Sequence, residues 1–382
     1  MTRLASLRDM LAQLIAARSV SSADPALDSD NRRVIELLAE WCEARGCRVE
    51  IQAVGSTGKC NLVATLGHGD DGLVLAGHAD TVPCDPALWR SDPWRLDERD
   101  GRWYGLGTAD MKGFFVAALA ALDEVDKGAL RRPLVLLATA DEETSMAGAR
   151  QLLSDGRRLG RFALIGEPTG LRPVRMHKGV AQMGIALAGR SGHASNPALG
   201  NNAIDGMRRV LDALDDWRGA LAHSHRNPAF EVPSPTLNFG AIRGGDNANR
   251  ICGHCDLLLD LRFVPGQDPA ATAGELAAIA RAAVDGHGLD CEVRELMTPI
   301  PAYETPATGE LVRLAEEITG SPAGSVTFAT EAPFLSALGT ETVVLGPGAI
   351  EQAHQPDEYV GIAAMTRMID LTASFIRRTC GA

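Results

Sequence analysis

Four short apolar runs, LVLAG (73–77), PLVLLAT (133–139), FALIG (162–166) and TVVL (342–345), are separated by stretches of helical periodicity. A run without polar alternation marks a strand buried on both faces, and the helices between such strands must cross over and cover those faces. Helical patterns at 31–45, 111–125, 147–154 and 310–318 supply the cover, with further strands expected at 47–53 and 61–66. The fold class this predicts is α/β, with a central, mostly parallel sheet. After His177 the pattern changes. Strands at 180–188, 236–242, 250–263 and 290–296 and helices at 202–221 and 269–286 follow the order βαββαβ, the ferredoxin-like unit. A length of 382 residues suits two domains. The simplest division is a main domain in two parts, 1–177 and 297–382, interrupted by a smaller inserted domain, 178–296.

Lys and Arg total 37 against 49 Asp and Glu, a formal charge of −12, which argues against a nucleic-acid partner. Eight cysteines are scattered through the chain, as in proteins whose thiols stay reduced. No window reaches the roughly 20 apolar residues needed to span a bilayer. Leu4, Leu7, Met10, Leu11, Leu14 and Ile15 recur at helical spacing, interrupted by Arg8 and Asp9, which describes an amphipathic surface helix and no secretory signal. Arg3, Arg8 and Arg18 leave a transit peptide as the alternative to a cytoplasmic chain.

The apolar strands end in residues able to bind metal. His78 and Asp80 follow the first, Asp141, Glu142 and Glu143 the second, Glu167 the third, and His354 lies a few residues beyond the fourth. Asp110 opens the 111–125 helix. Taken singly, each reads equally as a turn former or a cap. In open α/β sheets, however, ligands gather beyond the carboxyl ends of the strands, and all five segments obey that placement. Two imidazoles with several carboxylates suit Zn²⁺ or a related divalent ion such as Co²⁺. If one carboxylate bridges, His78, Asp110, Glu143, Glu167 and His354 serve two ions with three contacts each. Paired ions about 3.5–4 Å apart can polarise a carbonyl and generate hydroxide at neutral pH. Asp80 is then free to orient His78, and Glu142 to act as general base.

GHADTVP (77–83), GLGTADMKG (105–113), ATADEETSMAGA (138–149), IGEPT (165–169) and GPGAIEQAHQPDEY (346–359) resemble the five metal motifs of the M20 family of dinuclear metallohydrolases. The resemblance covers nearly the whole chain. It implies that His78 and Glu167 bind one zinc, that Glu143 and His354 bind the other, and that Asp110 bridges them, often before a cis peptide. It makes Asp80 the residue that orients His78 and Glu142 the general acid/base. It implies that the inserted domain serves as a dimerisation and lid domain, and that His193 reaches the active site of a homodimeric partner to stabilise the oxyanion. A surface loop histidine is the competing reading. Asn249 and Arg262 become candidates for the substrate's carboxylate or scissile carbonyl, against a hinge cap and a surface charge. The resemblance extends, within the family, to HKG (177–179), PTLNFGAIRGGDNANRIC (235–252) and ATEAPF (329–334), and this likeness implies a small N-acetyl amino acid, N2-acetyl-L-ornithine, as the substrate. Succinyl-diaminopimelate, other acylated amino acids and dipeptides are the alternatives. Glu331 is a candidate for recognising the substrate's cationic amine, set against a structural salt bridge.

Other signals are weaker. Cys252 and Cys255 stand three apart on an expected strand and so face opposite sides. Gly105-Leu106-Gly107 lacks the third glycine of a dinucleotide loop, and Ser191 lacks the context of a nucleophile elbow.

Overall fold

In a computed structural model that describes residues 3–55 and 58–381, the four apolar runs form adjacent strands. Leu134–Thr139, Leu73–His78, Phe162–Ile165 and Glu341–Val344 lie side by side, and every pairing among them is parallel. Almost every residue in them is buried, as an unalternating apolar pattern requires. Antiparallel strands extend both edges. Lys59–Leu66 pairs with Leu134–Thr139 and carries Arg48–Val54 outside it. At the other side Val174 pairs with Val344. The sheet is therefore mixed, parallel at its centre where helices make the crossovers.

The helix Lys112–Asp123 is buried around its whole circumference up to Leu122. It packs on the Leu73–His78 strand and against the helices Arg3–Ala16 and Ile362–Cys380. This accounts for its lack of a polar stripe, because a helix in the middle of a layer has no solvent face. A small antiparallel sheet, Asp97–Arg99, Arg102–Tyr104 and Tyr359–Gly361, joins the chain just before this helix to the segment after His354.

The chain divides into two compact units. One comprises the described residues up to Arg175, Thr305–Gly324 and the described residues from Thr330 on; the other comprises Met176–Glu304 with Ser325–Ala329. In the second unit four antiparallel strands lie in the order Thr236–Gly244, His254–Phe263, Gly179–Ala188, Asp290–Glu295. The helices Ala203–Ser224 and Pro269–Val284 pack together and bury the alternating face of this sheet. That is the spatial order of a ferredoxin-like βαββαβ unit. One strand begins later than expected. Residues 247–250 form a turn in which Asn247 Oδ1 accepts from Asn249 N and Asn247 O from Arg250 N, so pairing starts only at His254.

Candidate active site

All five expected metal ligands lie in the first unit, together with Asp80, Glu142 and Glu331. The last residue of the Leu73–His78 strand is His78, which is 1% exposed. Its Nε2 lies 2.9 Å from Asp110 Oδ1 and 3.9 Å from Glu167 Oε1. Asp110 Oδ2 faces the other way, 3.4 Å from His354 Nε2. His354 Nε2 in turn is 3.1 Å from Glu143 Oε2. One carboxylate thus divides its two oxygens between two imidazoles, and each imidazole has a further carboxylate beside it. His78, Asp110 and Glu143 bring ligand atoms within 4.8 Å of one another, as do His78, Glu142 and Glu167. Glu142 therefore sits within reach of whatever His78 and Glu167 hold.

Backbone geometry sets these side chains. Asp141 and His354 both adopt positive φ, 60° and 59°, and the Asp110–Met111 peptide is cis. Asp141 is held by buried Lys59, which also binds Asp28 Oδ1 at 2.6 Å, and by Ser21 Oγ at 2.5 Å. Asp80 acts through two groups. Its backbone carbonyl lies 3.0 Å from His78 Nδ1, whereas its carboxylate is 3.7 Å away. That carboxylate instead accepts from the backbone N–H groups of Glu142 and Glu143, at 3.3 and 3.2 Å. It registers the acidic loop against His78.

The electrostatics ask for a cation. Burial and the charge of Glu167 push Glu142 well above the carboxylate range, and burial with Asp110 does the same to Glu167. Glu143 rises for the same reasons, burial and then Asp110. Burial alone would lower His78, but its hydrogen bond to Asp110 and the surrounding carboxylates hold it well above an ordinary histidine. Hydrogen bonds to Asp110 and Glu143 raise His354 to about 10. Clustered buried carboxylates and imidazoles of this kind are suited to divalent ions, whose charge offsets their mutual repulsion. The donor set fits two such ions.

Glu331 precedes the helix Ala332–Ala337 and is 1% exposed. Its Oε1 has no hydrogen-bond partner among the described residues, while the carboxyl accepts from Thr139 and lies in the field of His78 and Asp80. Burial pushes it up to about 7.

The remaining candidates belong to the second unit. His193 is exposed, and its Nδ1 accepts from Ser195 N at 3.2 Å, which leaves Nε2 to carry a proton. Asn249 adjoins it, with Ala194 N donating to Asn249 O, and the two line one cavity of about 420 Å³. Asn249 sits in the turn and not at the start of a strand. Arg262 forks onto Asp260, at 2.7 and 3.2 Å, and with Lys178 lines a cavity of about 340 Å³. Lys178, buried and donating to Ser234 O, is the central residue of the HKG segment, to which no role was assigned from the sequence. Glu358, inside the 346–359 motif, and Lys59 were not singled out either: Glu358 accepts from backbone N–H groups of the 107–110 turn and Lys59 binds Asp28 and Asp141, all distant in sequence. A further cavity of about 680 Å³, lined by residues including Arg8, Asp92 and Trp94, lies in the first unit away from the convergent carboxylates and imidazoles.

Residues 74–378 match the family described as peptidase family M20/M25/M40, and the chain belongs to that family. Curated relatives run its full length. An acetylornithine deacetylase of Proteus mirabilis (strain HI4320) is 46% identical over 99% of this chain and 98% of its own. One from Pasteurella multocida (strain Pm70) is 43% identical over the whole of both. An M20 family metallo-carboxypeptidase from Sulfolobus solfataricus shares the fold at a TM-score of 0.76, with 19% identity and 99% of each chain covered. The chain is a metal-dependent amidohydrolase of this family. Among the described residues no helix is long and apolar enough to cross a membrane.

Proposed function

We propose that this protein hydrolyses N2-acetyl-L-ornithine to L-ornithine and acetate in arginine biosynthesis, as a homodimer in the cytoplasm, with Zn²⁺ as its metal and Co²⁺ as a competent substitute. The observation that supports the reaction most directly is the division of Asp110's two oxygens between His78 and His354. The substrate is supported by full-length similarity to acetylornithine deacetylases. In this reading His78 and Glu167 would hold one ion and Glu143 and His354 the other, with Asp110 as the ligand they would share. When bound, such a pair polarises the acetyl carbonyl and lowers the pKa of an attacking water toward neutrality.

The chain's own residues do the rest. Glu142 takes the proton from the attacking water on its carboxylate and returns it to the leaving amine. Its burial and its neighbour Glu167 raise its ionisation above that of an ordinary carboxylate, the direction that lets a general base also return a proton. Asp80 holds Glu142 and His78 in register through its carboxylate and carbonyl. In the homodimer His193, with Nε2 protonated, serves the partner's active site as a donor to the developing oxyanion. Asn249 and Arg262 bind the substrate's polar groups.

Glu331 supplies specificity, because its orphaned Oε1 is satisfied when the ornithine ammonium reaches it. Steady-state kinetics test both parts. We expect kcat/KM on N2-acetyl-L-ornithine to exceed that on succinyl-diaminopimelate and on a dipeptide, and a preference for either of those overturns the substrate. In Glu331→Gln, activity on acetylornithine relative to N-acetylmethionine should fall by about tenfold or more, the scale of a lost charge-assisted hydrogen bond. An unchanged ratio removes Glu331 from recognition.

A further inference from the structure

The segment that supplies His354 carries a buried carboxylate four residues on. Glu358 is 1% exposed, and its carboxylate is committed to backbone. Oε1 accepts from the N–H groups of Ala109 and Asp110, at 2.8 and 3.0 Å, and Oε2 accepts from Gly107 N at 2.9 Å. Its main-chain carbonyl accepts from Gly105 N at 3.0 Å. The turn from Gly105 to Asp110 is thereby gathered onto one residue. Lys112, the nearby buried cation, donates instead to the carbonyls of Leu14 and Ala17. The neighbouring segment presses on the same turn, since a Cβ at Gly348 would come within 2.8–3.0 Å of Ala109.

We infer that Glu358 is a positioning residue for the metal pair: it locks the backbone of Asp110 in register with His354. This rests on the reading of Asp110 as the shared ligand. The argument is geometric. Asp110 must aim one oxygen at His78 and the other at His354, and a carboxylate can do so only if its Cα stands at a set place between them. Glu358 binds the Asp110 N–H directly and sits on the chain that bears His354, so movement of one ligand-bearing segment is transmitted to the other. Only a carboxylate offers acceptors at both ends. In a glutamine the amide nitrogen, at whichever end, meets a backbone N–H.

The test compares wild type, Glu358→Gln, Glu358→Asp and Asp110→Asn, each stripped of metal. Zn²⁺ affinity and stoichiometry are read by competition with a chromophoric chelator, the Co²⁺ form by its visible spectrum, and folding by the melting temperature of the metal-free protein. We expect Glu358→Gln to bind metal about 10- to 100-fold more weakly, the usual effect of losing a residue that orients a ligand. Its Co²⁺ spectrum should change, kcat should fall, and KM should be largely retained. Glu358→Asp, which keeps both acceptors on a shorter arm, should recover part of the affinity, and it carries the comparison if the glutamine variant does not fold. Wild-type metal affinity and an unaltered Co²⁺ spectrum in Glu358→Gln, while Asp110→Asn loses affinity, overturn the inference alone. Wild-type affinity in Asp110→Asn overturns the ligand reading and this inference with it.

Discussion

Lys59 shows how a residue remote from the chemistry can govern it. The ammonium is 4% exposed and binds Asp28 and Asp141, whose side chains are 25% and 14% exposed. Asp141 stands at positive φ immediately before Glu142 and Glu143, so the ion cluster holds the bend that presents both glutamates. Removing one partner of a buried pair leaves an uncompensated charge and typically costs about 3–5 kcal/mol. Lys59→Met should therefore lower the unfolding free energy measured by urea denaturation by about that amount and reduce kcat as the acidic loop loosens. A denaturation curve matching wild type would show that the cluster carries no such strain-bearing role. Nothing in the local sequence singles out Lys59, because its partners lie 31 and 82 positions away.

At the scale of elements, close approaches at the strand ends are specified by glycine. A Cβ at Gly166, just after Phe162–Ile165, would fall 1.9–2.3 Å from the ring of Phe114 on the central helix, and one at Gly346 would fall 2.1 Å from Gly166 O. The Glu167 strand and the segment leading to His354 can meet only because those side chains are absent. Gly166→Ala should cost about 1–3 kcal/mol through overpacking, or more if the ring cannot shift. Thermal melting of the metal-free protein checks this. The types of the elements expected from the apolar runs and helical spacing were legible and most of their ends fell within two residues, but the helix Ile362–Cys380 and the strand Val174–His177 were not anticipated. The largest departure, the strand that starts at His254 and not at residue 250, reflects an Asx-type turn around Asn247 that interrupts an otherwise strand-like pattern.

For the whole molecule, protonation and metal binding compete. Glu142, Glu143 and Glu167 are raised from 4.5, and His78 and His354 from 6.5, so the folded metal-free protein holds more protons than the unfolded chain once pH passes about 4.5. Stability contributed by groups with raised folded values is present below the unfolded value and is lost as pH rises through the folded one. Asp110 is shifted the other way and matters only below its ordinary 3.8. In chelator, the melting temperature should therefore decline from pH 5 to pH 8, and the gain on adding Zn²⁺ should grow over the same interval as metal displaces protons. A metal-free melting temperature that climbs with pH contradicts the assignment of these groups to one cluster. The sequence by itself determined the strand types, the residues capable of binding metal and their placement at the ends of buried strands, because burial pattern and side-chain chemistry are local. Tertiary structure decided which oxygen of Asp110 faces which imidazole, that Asp80 meets His78 Nδ1 through its carbonyl, and that Glu358 accepts from the backbone of the Asp110 turn. Those depend on segments up to 251 residues apart meeting within hydrogen-bond distance, a relation that only the packed chain defines.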